Sequence, residues 1–270
     1  MKAERQHQQD AAGAMLRDWR QRRRYSQLAL ALEIEISQRH LSFLESGRSM
    51  PSRDMILRLT EFLQVPLRER NAILIAAGFA PAYRERALGS SELQQARAAI
   101  AQILTGHEPH PALAVDRSWT ILSANRAVSV LTQGAAPALL SGEVNALRLS
   151  LHPDGLAPRI LNFREWRSHI LARLAHDIDL SADPRLIALL AELKAYPTPP
   201  NATTMRKVTA NAPAIAVPLI LQSREGPLTF LSTTTLFGTA VDVTLADIVI
   251  ESFFPADTQT AAAMVKLMAG

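Results

Sequence analysis

Cysteine is missing from all 270 residues. Its absence excludes a disulfide scaffold, a thiolate zinc site and a cysteine nucleophile together. No run approaches 18 uninterrupted apolar residues, so the text predicts no bilayer-spanning helix. The opening MKAERQHQQD is polar and has no apolar stretch behind its basic residues, unlike a secretory signal, so the expected location is the cytoplasm. No glycine-rich phosphate loop is present. Ser118, Ser123 and Ser129 lack the strand–turn–helix context of a hydrolase nucleophile. No catalytic set emerges, so an enzyme is not expected, nor is a cofactor.

A hydrophobic fraction of 48% beside 20% charged residues is ordinary for a globular chain and excludes global disorder. The length points to roughly two domains. Net charge is only +4, but it is unevenly placed. Residues 1–90 hold 15 Lys+Arg against 10 Asp+Glu, whereas residues 91–270 hold 14 against 15. Arg17, Arg20, Arg22, Arg23 and Arg24 crowd one short stretch. A basic front beside a neutral back fits a nucleic-acid-binding module joined to a second domain; a solvated arginine-rich helix would give the same count.

Residues 11–80 read as five short helices. The first runs from Ala11 to Arg24 with Met15, Leu16 and Trp19 at helical spacing. Ser26 caps a second, Gln27 to Glu33, with Leu28, Ala31 and Leu32 expected inward. Ser37 caps a third, Gln38 to Glu45, burying Leu41 and Leu44, and Gly47 stops it. Met50-Pro51-Ser52 opens a fourth, and a fifth ends before Gly78. Residues 81–106 read as a hinge and connecting helix, Ser91 to Leu104, and GHEPHP punctuates the chain before 107–270. There the text is mixed. A strand pair turns at Asp116-Arg117 and helices cover Leu156 to Ile178 and Pro184 to Tyr196. Strands follow at Ala214 to Gln222, Leu228 to Phe237 and Ile248 to Phe254, with a closing helix from Thr258 to Met268. The fold class is α+β.

The segment SQLALALEIEISQRHLSFLESGRSMPS, Ser26 to Ser52, carries the chemistry. Two short helices stand about three residues apart, and the second opens on long polar side chains. A major groove about 12 Å wide admits one helix, whose leading residues must donate and accept hydrogen bonds to base edges. Gln38 and Arg39 suit adenine and guanine, and Gln27, opening the earlier helix, suits a phosphate.

Residues 12–79 resemble the helix-turn-helix domain of Xre/Cro-type bacterial regulators, through Ser26-Gln27, Leu30-Ala31, Ile36-Ser37, Leu41-Ser42, Glu45-x-Gly47-Arg48 and Pro51-Ser52. The resemblance implies double-stranded DNA as partner, with Gln27 and Ser46 on phosphates and Gln38, Arg39, Ser42 and Phe43 toward bases. Ser37, His40 and Arg48 complete that face. It also implies a buried ion pair between Arg20 and Glu45. One position departs: Glu35 stands where the family usually has glycine, so the turn takes a positive φ or is reshaped.

The longer string RHLSFLESGRSMPSRDMILRLTEFLQVPLRERNAILIAAGFAPAYRE is similar to the MmyB-like branch, as are VDRSWTILSAN, NFREW and STTTLFGTAVDVTLADIVIESFFPADTQTAA. That resemblance implies a PAS-like ligand-binding tail and an apolar, fatty-acid-like ligand.

In the tail, His169, His176, Asp177 and Asp179 invite a metal reading. His169 and His176 lie about 10 Å apart at a rise of about 1.5 Å per residue, too far for one ion. They read as helix-face residues, and His107 and His110 as surface groups of the linker. Trp119, Ile121, Phe163, Trp166, Phe230 and Phe237 are the candidate cavity residues, though any of them also suits the core. The strands from Ala214 to Leu221 and from Leu228 to Phe237 carry no charge, and Ile248 to Phe254 holds only Glu251. Such strands are expected to be covered on both faces, by helices on one side and a ligand, second helical layer or second copy on the other. The expectation is a DNA-binding regulator, dimeric because one recognition helix reads too few base pairs to single out a site. Its tail senses a small apolar ligand, or alternatively serves only dimerisation or partner binding in a constitutive regulator.

Overall fold

The computed structural model describes residues 2–181, 183–200, 202, 216–237 and 242–269. Contacts divide the chain into two compact units, Met1–Arg86 with Asp179–Ser181 and Ala240–Ala246, and the remainder.

The first unit is helical: α1 (Lys2–Arg22), α2 (Gln27–Glu33), α3 (Gln38–Glu45), α4 (Arg53–Phe62) and α5 (Leu67–Ala76). Three of the starts are serine caps. The Ser26, Ser37 and Ser52 hydroxyls accept the N–H groups of Ala29, His40 and Met55 at 3.0, 3.1 and 3.1 Å, satisfying donors that a helix start leaves free. The core gathers Leu16, Trp19, Leu30, Ala31, Leu41, Leu44, Ile56, Leu59, Ile73 and Leu74, all buried. Two positions correct the sequence reading. Leu28 and Leu32 are 53% and 69% exposed, and α2 buries Leu30 and Ala31 with Ile34 behind them. In a helix of under two turns, two apolar stripes compete, and the one facing α3 wins. The first helix also starts earlier than Ala11, because its leading turns are polar and carry no stripe.

Glu35 keeps the left-handed turn, with φ 55°, while Ile36 N–H reaches back to the Ala31 carbonyl at 2.9 Å. A side chain there costs on the order of 1 kcal/mol relative to glycine.

The second unit packs an antiparallel sheet against helices. Its strands are β1 (Ala112–Val115), β2 (Ile121–Ala124), β3 (Leu219–Ser223), β4 (Gly226–Leu236) and β5 (Val249–Pro255), in the order β2-β1-β5-β4-β3. A short 3-10 turn leads into α6 (Gln94–Gly106); α7 (Val128–Thr132), α8 (Ala146–Leu151), α9 (Phe163–Ser181), α10 (Pro184–Ala195) and α12 (Thr258–Ala269) complete its helices, while α11 (Val243–Ala246) groups with the first unit. The α+β class follows. Along α9, Phe163, Trp166, Ile170 and Leu174 recur at helical spacing and share one buried cluster with Leu113, Leu219, Phe230 and Met264. The expected strand at Ala214 begins at Leu219, and its first two positions lie outside the described residues.

The outer sheet face is covered only in part. Ala112, Ala114 and Ile250 on it are buried, beside α6, which packs on β1. Leu231 and Phe254, paired directly across β4 and β5, are 39% and 45% exposed.

Candidate functional site

The candidate recognition surface is the outer side of α3. Ser37, Gln38, Arg39, Ser46 and Arg48 are exposed, and His40, Ser42 and Phe43 are half-buried. The Phe43 ring is flanked by two guanidinium groups, Arg39 at 5.3 Å and Arg48 at 5.9 Å from its centroid. This couples the base of the helix to its leading turn through cation–π contacts.

α3 is braced from behind. The Arg20 guanidinium donates to both Glu45 carboxylate oxygens, Nε to Oε1 at 2.6 Å and Nη2 to Oε2 at 2.9 Å, and also to the Tyr25 carbonyl at 2.7 Å. Both side chains are buried. Gln27 donates its amide to Glu45 Oε2 at 2.8 Å. One amide hydrogen is thereby held inside the brace, and the second remains for an external acceptor. Arg23, by contrast, is spent on structure, donating to the Leu63 carbonyl at 2.8 Å. The basic stretch is therefore part brace and part exposed charge, with Arg17, Arg22 and Arg24 at the surface.

Close approach makes the packing possible. A Cβ at Gly13 would collide with the Leu44 carbonyl oxygen and stand 3.0 Å from that of Glu45. Gly47, at φ 70°, ends α3 where a side chain would meet Asp10.

In the second unit, a cavity of about 70 Å³ opens between α9 and the inner sheet face. Its walls include Leu113, Ile121, Val128, Leu131, Trp166 and Ile170. Of the candidates singled out from sequence, Trp119, Ile121 and Trp166 line it. Phe163 and Phe230 are fully buried core residues away from its lining, and half-buried Phe237 is not part of it.

The cavity's charged end comes from residues to which the sequence reading gave no role. Arg173 clasps Glu251 through two bonds, Nη2 to Oε1 at 2.5 Å and Nη1 to Oε2 at 3.1 Å. The Thr234 hydroxyl accepts from Arg173 at 2.8 Å and donates to Glu251 Oε1 at 2.9 Å. The guanidinium lies 4.5 Å from the Trp119 ring centroid. Trp119 itself sits at φ 65°, unusual for so bulky a residue. Its turn is tied by Asp116, whose Oδ1 accepts the N–H groups of Ser118 and Thr120 at 2.8 and 2.9 Å. One signal was legible: Glu251 is the lone charge in an otherwise apolar strand, and a buried lone charge requires a partner.

Along α9, burial pushes the Asp177 carboxyl up from its ordinary range, against the pull of Arg173 and the hydrogen bond from Trp119. Burial pushes the His169 imidazole down, and Arg173 adds to that. His107 is no free surface group: its Nε2 bonds the Phe253 carbonyl at 3.0 Å and its ring meets Phe254 edge-on at 4.6 Å. Among the described residues no three His, Asp or Glu side chains are grouped to hold a metal ion, and no helix is long and apolar enough to cross a membrane.

A second charged cluster fixes α10. Asp183 caps it, accepting the Arg185 N–H at 2.9 Å, and receives the guanidinium groups of Arg117 at 2.6 Å and Arg185 at 2.9 Å. Burial alone would raise this carboxyl, but those hydrogen bonds prevail and hold it well below the usual carboxylate range.

A braced helix with an exposed polar edge, and a five-stranded domain enclosing an apolar cavity, define a two-part regulator. Residues 16–70 match a helix-turn-helix family model, and residues 96–267 match that of the MmyB-like transcription regulator ligand binding domain. The chain belongs to the MmyB-like transcription regulators. It is a DNA-binding transcription regulator with a ligand-binding domain. No curated protein matches the sequence.

Proposed function

We infer that the protein reads a specific DNA sequence through α3 and adjusts that binding to a small, mainly apolar molecule held in the second unit. The carrying observation is the exposed edge of α3 itself. Gln38 and Arg39 present hydrogen-bonding groups at its leading turn, with Ser42 and the arginine-flanked Phe43 one turn on. Arginine pairs two-point with guanine, glutamine with adenine, and an aromatic edge suits a thymine methyl. Ser46 and Gln27 border this edge, where phosphates pass. The rigid Arg20–Glu45 brace keeps the edge at one angle, which base readout requires. Selecting and sequencing the duplexes retained by the pure protein tests this reading: a shared motif is expected, and a random set of retained sequences overturns it.

The ligand half rests on the apolar walls of the cavity and its few polar groups, a composition typical of small-molecule sites. A second reading takes the tail as an assembly module only. The exposed, directly paired Leu231 and Phe254 on the outer sheet face favour that role for this surface, and the two readings are compatible.

A further inference from the structure

We propose that Arg39 and Phe43 act as one unit reading two neighbouring base pairs, a guanine and a pyrimidine that carries a C5 methyl group. 5-Methylcytosine then substitutes for thymine at that place, and methylation of a cytosine there strengthens binding. The proposal rests on the reading that the outer side of α3 meets DNA bases.

Phe43 stands apart from Trp19, Tyr25 and Phe62, the other Trp, Tyr and Phe residues between Lys2 and Ala76. Those three belong to the core of the first unit or pack on it. α3 turns Leu41, Leu44 and Glu45 inward, and Phe43 lies half-buried off that stripe. Core packing therefore does not account for a phenylalanine at this position.

Its place is fixed from both ends of the helix. The Phe43 carbonyl accepts the N–H groups of Arg48 and Ser49 at 2.9 and 3.1 Å and the Ser46 hydroxyl at 3.4 Å. The chain leaving α3 thus folds back and brings Arg48 to the ring, while Arg39 reaches it from the leading turn. A ring held in this way loses little freedom on meeting a partner.

A guanidinium over an aromatic ring uses its face, and its N–H groups lie in its plane. Arg39 in that pose keeps the two-point donor pattern that guanine O6 and N7 accept. Its guanidinium is 5.3 Å from the ring centroid, and stacked bases are about 3.4 Å apart. With Arg39 on a guanine, the ring therefore falls over the adjacent pair. A phenyl ring offers that pair apolar surface and no hydrogen bond. The feature of a major-groove edge that matches it is the C5 methyl of thymine. 5-Methylcytosine presents the same methyl at the same atom. Uracil and cytosine lack it, and the gap they leave forfeits contact with the ring.

The test uses the full chain and the duplex it prefers in selection from a random library. Each thymine next to a guanine is replaced in turn by uracil, which removes the methyl alone, and by cytosine or 5-methylcytosine paired with guanine. One uracil is expected to weaken binding about fivefold, and 5-methylcytosine to bind about fivefold more tightly than cytosine at the same position. Phe43→Ala should reduce both contrasts below about twofold, Phe43→Leu should keep part of each, and Arg39→Ala should shrink them by removing the group that seats the ring. Three results each overturn the methyl reading and leave α3 as the reader of the motif: uracil tolerated at every such thymine, a motif without thymine beside guanine, or a uracil penalty undiminished in Phe43→Ala. Retained duplexes with no shared motif overturn base reading by α3 itself. Should Phe43→Ala fail to fold, the uracil scan on the unchanged chain and on Phe43→Leu decides.

Discussion

Gly13 on α1 and Leu44 on α3 approach so closely that the Leu44 carbonyl oxygen occupies the place of a side chain at position 13. The contact sets the distance between α1 and α3. In an isolated helix Gly13→Ala would stabilise by about 1 kcal/mol. Here the obstacle is backbone and cannot rotate away. Overpacking of this kind costs about 1–3 kcal/mol and outweighs the propensity gain. Urea denaturation of Gly13→Ala should therefore show net destabilisation; a midpoint above the wild type would contradict the geometry.

Arg39→Ala should cost about 1–3 kcal/mol on the preferred duplex and relax the choice of base at one position. Gln27→Ala should weaken preferred and random duplexes alike, because a phosphate carries no base identity. Competitive binding titrations on both duplexes separate the two effects. Equal losses on both duplexes for Arg39→Ala would remove it from base readout.

Glu45→Ala deletes the acceptor shared by Arg20 and Gln27. It leaves a buried guanidinium with only the Tyr25 carbonyl. Removing one partner of a buried pair typically costs about 3–5 kcal/mol. Chemical denaturation should register a loss of that order, with Glu45→Gln intermediate because it keeps one acceptor oxygen.

Asp183 gives the second unit an acid limit. Its carboxyl is held below its ordinary value, so the stability it contributes is complete above the unfolded carboxylate range. That stability is lost as pH falls through about 4 and below. Asp183→Asn retains the cap on α10 but not the charge. It should lower stability at pH 7 by about 1–3 kcal/mol and flatten the fall in melting temperature between about pH 5 and pH 2. A variant whose melt follows the wild-type curve at every pH would argue against the pairing with Arg117 and Arg185.

The full chain should sediment as a dimer and a fragment of residues 1–85 as a monomer, since the expected dimer contact lies beyond Ser91. Two heads on half-sites about one helical turn apart then require a two-fold symmetric operator. A full-length chain that stays monomeric with and without DNA would rule this out.

Local signals made the head legible. Ser26, Ser37 and Ser52 mark three helix starts in the text, and each caps in the structure. The β4 and β5 strands read clearly because the apolar runs were broken by Gly226-Pro227 and Gly238 in the sequence. What failed to show was short or long-range. α8 and α11 span six and four residues, too few for a period to appear. Leu28 and Leu32 looked inward because periodicity gives stripes but not which stripe meets a neighbour. Aromatic character announced burial for Phe163 and Phe230 without saying which side chains border a void. Arg173 and Glu251 stand 78 positions apart, and only the isolation of Glu251 among apolar neighbours hinted at a partner.

The chain has three tryptophans, and two of them, Trp119 and Trp166, form the cavity wall. The third, Trp19, lies in the core of the other unit, beneath Arg22 and Arg23. Replacing Trp19 by phenylalanine would leave every indole photon originating at the cavity wall. Trp119 is held by its left-handed backbone and pressed against Arg173, and Trp166 is tethered to Ser150. Neither ring can swing freely, so a guest arriving between them would alter the emission colour and lifetime directly. The two rings would thus give an unlabelled optical gauge of the proposed site, readable while the protein sits on DNA.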